Sequence, residues 1–378
     1  MNHRDDPRLE EAKVMAVDSV LSMLSIDNLH RTGAERVGPC PLCGGRDRFG
    51  INVNSRAYQC RKCGIKGGDV VQLVRDIHGC GFKDALAFLC GDGPANIDPV
   101  EVKRRRDRAA AEAKRQDDYA ERMRQRHIAD ARRIWDEGKP AQGSPIHAYF
   151  AARGILPAVL RHLPECLRFH PSLPYMVKDG AEWRELYRGP AMLAAVVQPS
   201  NHITAVHRTW INPERPKGKA LILRDGELQQ VKKVLGSKKG CAIRLSSPEG
   251  FTRLVMGEGI ETTATAWVAE GRADTAYWAG VDLGNLSGHQ RPGPTAKRWS
   301  GLPDMTDLTA FVPPRWVREL VLIQDGDSHA ASTRAKLESC ARRAMAKVPS
   351  LKARIVHAGA GRDLNDILMG EGEACHED

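Results

Sequence analysis

Three short acidic groups carry the densest chemistry in this chain: Glu258 with Glu261, Asp325 with Asp327, and Asp363 with Asn365 and Asp366. Each follows an apolar run of strand type, Leu254-Val255-Met256 before the first and Leu320-Val321-Leu322-Ile323 before the second. Carboxylates released at the ends of buried strands fall where open α/β sheets place their ligand crevices. Mg(II) takes a few such carboxylates and keeps the rest of its shell for water and phosphate oxygens. The pattern therefore predicts a divalent-metal site, Mg(II) or Mn(II), suited to neutralising a triphosphate and orienting an attacking hydroxyl. A lone Asp-Gly-Asp is usually a turn, and a helix surface is the alternative place for Glu261; three acidic strand ends in order are a more specific sign.

The second chemical cluster is Cys40-x2-Cys43 and Cys60-x2-Cys63, separated by residues 44–59. Each Cys-x2-Cys turn presents two thiolates, and an intervening hairpin brings the pairs together on one tetrahedral Zn(II). A folding staple without a binding role, a rubredoxin-like iron site and redox dithiols are the other readings of this spacing. The chain has 10 cysteines, and the remainder, Cys80, Cys90, Cys166, Cys241, Cys340 and Cys375, are scattered and read as reduced thiols.

These residues require elements to position them. Leu9, Val14, Val17, Leu21 and Leu24 recur near helical spacing and predict one amphipathic helix over about residues 7–29. Two short helices are expected after the cysteines, Asp69 to His78 with Asp69 as N-cap, and Phe82 to Leu89. Glu101 to Asp136 is almost free of Gly and Pro and predicts one long charged linker helix, whose run Lys103-Arg104-Arg105-Arg106 is either a phosphate contact or a solvated face. Strand-like runs at Ala191–Gln198, Ile203–Ile211, Leu221–Leu223 and Cys241–Leu245 indicate an α+β lobe. Beyond Phe251, strands (Arg253–Met256, Thr275–Ala279, Glu319–Gln324, Ala353–His357) alternate with helices (Glu261–Glu270, Ala330–Lys347), which predicts a mainly parallel sheet covered on both faces.

The expected organisation is multidomain, α+β and α/β: an N-terminal helix and zinc ribbon over 1–95, a charged helical linker over 96–140, a basic α+β lobe over 141–250, an α/β domain over 251–370 and a tail over 371–378. With 378 residues, 42% hydrophobic and 28% charged, the chain has material for two or three cores. No apolar run approaches the roughly 18–20 residues needed to span a bilayer and the start has no signal-peptide character, so a cytoplasmic location and no membrane partner are expected. A formal net charge of +10 suits a polyanionic partner, because neutralising phosphates releases condensed counterions.

Gly38-Pro39-Cys40-Pro41-Leu42-Cys43-Gly44-Gly45-Arg46-Asp47-Arg48-Phe49, then Tyr58-Gln59-Cys60-Arg61-Lys62-Cys63 and Gly67-Gly68-Asp69, resembles the N-terminal zinc ribbon of bacterial and phage primases. The resemblance implies a ribbon that contacts single-stranded template, with Arg46, Arg48, Arg61 and Lys62 on phosphates and Phe49 and Tyr58 as stacking surfaces. Many bacterial primases have His as one ligand; four Cys are present here, as in some phage primases. The later motifs Glu258-Gly259-Ile260-Glu261-Thr262, Asp325-Gly326-Asp327 and Gly361-Arg362-Asp363-Leu364-Asn365-Asp366 resemble the topoisomerase-primase (TOPRIM) domain over roughly 251–370. That resemblance implies Glu258 near the metals or in proton transfer, Asp325 and Asp327 as principal Mg(II) ligands, and Glu261 and Asp363 in support. Asn365 stands where many relatives have an acid. Val206-His207-Arg208-Thr209-Trp210 with Lys217-Gly218-Lys219 and Val231-Lys232-Lys233-Val234 resembles the basic lobe of plasmid and phage primases, with Arg208, Lys219 and Lys232 expected on phosphates and Lys217 and Lys233 close behind. His147-Ala148-Tyr149-Phe150 through Arg153-Gly154-Ile155 resembles a short helical motif of the same enzymes, expected to be structural.

The expected function is template-directed synthesis of short RNA primers from NTPs on single-stranded DNA, in a plasmid, phage or integrated-element setting. Gly-x4-Gly-Lys-[Ser/Thr] does not occur, so a replicative helicase is expected to act in trans. A nuclease with the same acidic motifs, or a non-catalytic DNA-binding and recruitment factor, are the alternatives.

Overall fold

The spacing that predicts one helix over residues 7–29 gives two, α1 (Arg8–Val14) and α2 (Val17–Met23). Met15 and Ala16 between them are extended, with ψ of 138° and 136°. This break re-aims the second helix, so that Ala12, Val17, Val20 and Leu21 all reach one core while Val14 stays 52% exposed. The computed structural model describes residues 6–91, 99–155, 162–180, 182–291, 299–324, 329–357 and 364–369, with backbone alone for 99–113, 116–117 and 366.

Two compact units divide the chain at Glu121/Arg122. In the first, an antiparallel sheet runs in the order β1 (His30–Thr32), β2 (Glu35–Cys40), β3 (Gly44–Asn52), β4 (Tyr58–Cys60), β5 (Lys66–Gly67). Helices α3 (Val70–His78) and α4 (Phe82–Cys90) follow. As expected, Asp69 caps α3, its carboxylate accepting from Gln72 N at 2.8 Å. Gly79 closes the helix at φ 62°, where a Cβ would be strained. Phe49, Ile51, Val70, Leu73, Val74 and Leu86 fill the core. The long helix α5 spans Pro99–Glu137.

The second unit holds two larger sheets. β6 (Lys139–Pro140), helix α6 (Ile146–Ala151), β7 (Leu167–Asp179), β8 (Glu182–Val197) and β9 (Ile203–Trp210) come first. Next is the small hairpin β10 (Leu223–Arg224) and β11 (Glu227–Leu228), in place of the strand expected over Leu221–Leu223, and then β12 (Lys232–Gly236). Strands β12-β9-β8-β7-β6 form an antiparallel sheet in that order. One face packs Trp135, Leu173, Tyr175, Leu193 and Trp210; the other packs Met192, Ala194, Ala205 and Ile211.

The C-terminal elements are β13 (Ile243–Ser246), β14 (Arg253–Gly257), α7 (Ile260–Glu270), β15 (Thr275–Ala279), α8 (Leu283–Ser287), β16 (Glu319–Gln324), α9 (Ala330–Lys347), β17 (Lys352–His357) and α10 (Leu364–Leu368). Their sheet has the order β13-β15-β14-β16-β17, parallel except for β13. Alternation along its strands covers both faces: Leu254, Met256, Leu320 and Leu322 meet Leu337, Cys340 and Ala344 of α9, while Val255, Tyr277 and Val321 meet Ala266 and Trp267 of α7. Ile260 and Ala264 of α7 also join the core under the antiparallel sheet, which ties the basic lobe to the parallel sheet. Among the described residues no helix is long and apolar enough to cross a membrane.

Candidate zinc centre and carboxylate site

Cys40 ends β2, Cys43 occupies the turn into β3, Cys60 ends β4 and Cys63 lies one turn further. Their Sγ atoms all lie within 4.8 Å of one another, with Cys40–Cys63 at 3.7 Å and Cys43–Cys60 at 3.5 Å. A Zn–S bond of about 2.3 Å gives tetrahedral S···S edges of about 3.8 Å, so the four sulfurs have the separations one zinc ion requires. Glycines make the turns possible: Gly44 and Gly45 have φ of 65° and 95°, and a Cβ on Gly45 would meet Arg48 Cδ at 2.5 Å. Desolvation opposes ionisation of Cys60, yet the backbone N–H groups of Cys63 and Lys62 bring its pKa down to about 6. That favours the thiolate, the form that binds metal.

Around this centre Arg46, Arg61 and Lys62 are exposed and Arg48 is half-buried. Phe49 and Tyr58 do not share that surface. They are 0% and 3% exposed, and Tyr58 donates its hydroxyl to Asp76 at 2.5 Å. Both rings are core residues of the ribbon, which corrects the expectation that they offer stacking surfaces.

Glu258 follows β14 directly and is half-buried. The turn that holds it is fastened by Thr263, whose hydroxyl donates to Gly259 O at 2.8 Å and accepts from Gly257 N at 3.2 Å. Gly280 N, just past β15, donates to Gly257 O at 2.9 Å. Asp325, Asp327 and Asp363 lie outside the described residues, as does the side chain of Asp366. Because β16 pairs in parallel with β14, Gln324 ends its strand at the same sheet edge as Gly257.

Glu261, in the first turn of α7, is 6% exposed. Its Oε2 accepts from Lys232 Nζ at 2.8 Å and its Oε1 accepts from the hydroxyl of Tyr149. Desolvation would raise its pKa, but the charges of Lys232 and Arg153 hold the carboxyl far below the usual range, so it is ionised. Burial raises the Tyr149 phenol well above its ordinary value, which keeps it a neutral donor. Burial, then Lys232, lowers His207 to about 4, so its imidazole is neutral.

Arg153 is 4% exposed. Its Nη1 donates to Asn365 Oδ1 at 3.3 Å, and its carbonyl accepts from Asn365 Nδ2 at 2.6 Å. Its Nε and Nη2 have no hydrogen-bond partner among the described residues. Lys219 is lowered by desolvation and then by Lys232 and Arg153. Lys232, Arg153 and Lys219 thus surround one carboxylate, Glu261, leaving an excess of positive charge that favours an anion.

The antiparallel sheet divides the expected cations. Lys232 and Lys219 belong to the Glu261 face. Arg208, one residue from His207 on β9, points to the other face with its guanidinium 5.5 Å from the Trp210 ring. Lys233 joins it there, 3.6 Å from the Tyr175 ring centroid and donating to Met176 O at 2.8 Å. Burial lowers Arg208 to about 10, and burial with Arg208 lowers Lys233 to about 8. Sequence reasoning gave Tyr149 and Arg153 a structural role and passed over His207. For the first two the available signal was their spacing, Tyr149 on α6 and Arg153 four residues on, just past the end of that helix and before Gly154 at φ 64°.

Residues 12–105 match the CHC2 zinc finger family. The amino-terminal unit therefore carries a zinc ribbon of that kind, and the resemblance of the chain to zinc-ribbon DNA primases stands. Residues 125–245 match a domain of unknown function, DUF7146. No curated protein matches the chain. The Aquifex aeolicus primase, as its zinc-binding and RNA polymerase domains, is similar at 14% identity over 97% of this chain and 83% of that one, with a TM-score of 0.33. The primase fragment of the bacteriophage T7 primase-helicase protein is 12% identical over 88% and 94%, with a TM-score of 0.31. A DNA primase domain from Pseudomonas aeruginosa is 12% identical over 65% and 75%, with a TM-score of 0.37. At these scores none of the three carries a residue role over to this chain.

Proposed function

We propose that the chain is a DNA primase of the TOPRIM type, which binds single-stranded DNA through its ribbon and joins ribonucleotides on that template. The observation that carries this reading is the company of the CHC2 ribbon on one chain: a parallel sheet ending in Glu258 beside a buried group with more cations than carboxylates. Asp325 and Asp327, with Glu258 and Asp363, would hold Mg(II) or Mn(II), which supplies charge neutralisation to the triphosphate when bound. The donor set fits a hard oxygen-seeking ion. Arg153, with two unpaired guanidinium nitrogens, and Lys219 are suited to grip phosphate oxygens by charge-assisted hydrogen bonds. Glu261, whose oxygens already accept from Tyr149 and Lys232, keeps Lys232 aimed and limits local repulsion among the cations. Exposed Arg46, Arg61 and Lys62 of the ribbon suit template phosphates, and a replicative helicase acts in trans.

The test is incubation of the protein with single-stranded DNA of varied sequence, labelled NTPs and Mg(II). Short RNA products lost in an Asp325→Ala, Asp327→Ala double variant that still binds DNA support the reading. Shortened DNA without RNA indicates a nuclease. Unchanged cellular function of the double variant indicates a recruitment factor.

A further inference from the structure

The carboxyl edge of the parallel sheet carries an aromatic pair that the site described above does not use. The rings of Trp299 and His329 have centroids 5.1 Å apart and planes inclined by 47°. His329 caps α9, its ring accepting from Ser332 N at 3.3 Å, shortly beyond the end of β16. β16 neighbours β14, so the pair stands on the edge of the sheet that also presents Glu258.

Trp299 is 40% exposed and belongs to none of the hydrophobic cores. The chain just after it, in contrast, is fastened. Gly301 N donates to Gln290 Oε1 at 2.9 Å, Arg291 N donates to Leu302 O at 2.9 Å, and Arg342 on α9 donates to Gly301 O. An indole that only filled space would be turned inward, since large aromatics gain most from burial. Here the ring lies at a tilt against a second ring, close to a fastened stretch of chain, and leaves part of its surface to solvent. The other well-exposed indoles have different surroundings: Trp183 (67%) starts β8 next to the β7–β8 turn, and Trp316 (56%) lies edge-on to Phe251 near the amino end of β16.

We propose that Trp299, seated on His329, is a stacking platform for an unpaired nucleobase at the mouth of the carboxylate site. The inference rests on the primase reading. An indole face accepts any base, because every base has a π-face, so the platform would order the nucleic acid without reading its sequence. The base comes either from the template strand or from an incoming nucleotide.

The experiment compares the full-length wild type with Trp299→Phe, Trp299→Leu and Trp299→Ala. Binding of labelled oligo(dT) is followed by anisotropy at a salt concentration that suppresses phosphate-only binding, and binding of ATP by calorimetry. Trp299→Phe keeps a π-face and is expected within about threefold of wild type; Trp299→Leu keeps apolar bulk without one and is expected to weaken with Trp299→Ala by about 5- to 100-fold. Loss confined to oligo(dT) assigns the template base, and loss confined to ATP assigns the incoming base. Wild-type affinity of Trp299→Leu for both probes overturns the platform, whether or not Trp299→Ala folds. Affinity needs no turnover, so failure of the primase reading appears separately, as wild-type protein that makes no RNA.

Discussion

Lys232 and Glu261 set the electrical character of the site. Removing either leaves the other charge in a place where water does not fully replace its partner. Because the Lys232 side chain is 35% exposed, solvent screens part of that loss, and Glu261→Gln is expected to cost about 2–3 kcal/mol by chemical denaturation at neutral pH, below the full value for a buried pair. His207 adds a pH dependence of defined sign. Its folded pKa, about 4, lies below its ordinary 6.5, so the unfolded chain binds the proton first as pH falls and stability declines between 6.5 and 4. The decline from this residue is no more than about 3 kcal/mol, and in His207→Gln the pH profile over that window should flatten. An unchanged profile would show that His207 is not held neutral. None of this pairing was legible in the sequence, because Tyr149, Lys232 and Glu261 meet only after the antiparallel sheet packs on α7. The opposite orientations of Lys232 and Arg208 follow from the two-residue period of strands and the pairing of β9 with β12, and that pairing needed the structure.

At the scale of elements, the short turn between β14 and α7 decides where Glu258 points. A Cβ on Gly257 would meet Thr263 Oγ1 at 2.8 Å and Thr263 N at 3.1 Å. Gly257→Ala is therefore expected to destabilise the second unit by about 1–3 kcal/mol and to reduce RNA synthesis more than DNA binding. In the first unit, Asp69→Ala removes the cap of α3 and should cost about 1 kcal/mol, measured as a lower denaturation midpoint of that unit. Beyond Phe251, strands β14 to β17 and helices α7 and α9 were legible to within a residue at each end, since each is an apolar run or a periodic face of ordinary length; the five-residue helices α8 and α10 were not, being too short to display a helical period. The break at Met15 and Ala16 was not, because both residues suit a helix and only the position of the core demands the bend. Phe49 and Tyr58 show the same limit: an aromatic among arginines looks alike in sequence whether it faces solvent or the core.

For the whole molecule, the two units should respond differently to metal removal. Zinc ligation in finger peptides is worth about 10–16 kcal/mol, comparable to the entire stability of a small domain. Chelation is expected to abolish the calorimetric transition of the first unit while the second unit's transition persists. A single transition, lost as a whole, would contradict that independence. The division at Glu121/Arg122 also puts the later part of α5 with the second unit, where Ala131 and Trp135 pack on the antiparallel sheet.

β13 has a practical corollary for anyone who dissects the protein. This strand precedes Phe251 in the chain, yet it hydrogen-bonds along the open side of β15. An expression fragment starting at residue 251 would bare a row of unsatisfied amides and carbonyls on β15, an invitation to intermolecular strand pairing and precipitation. Fragments meant to isolate the carboxylate-bearing sheet should start upstream of Cys241 so that this guard strand is retained.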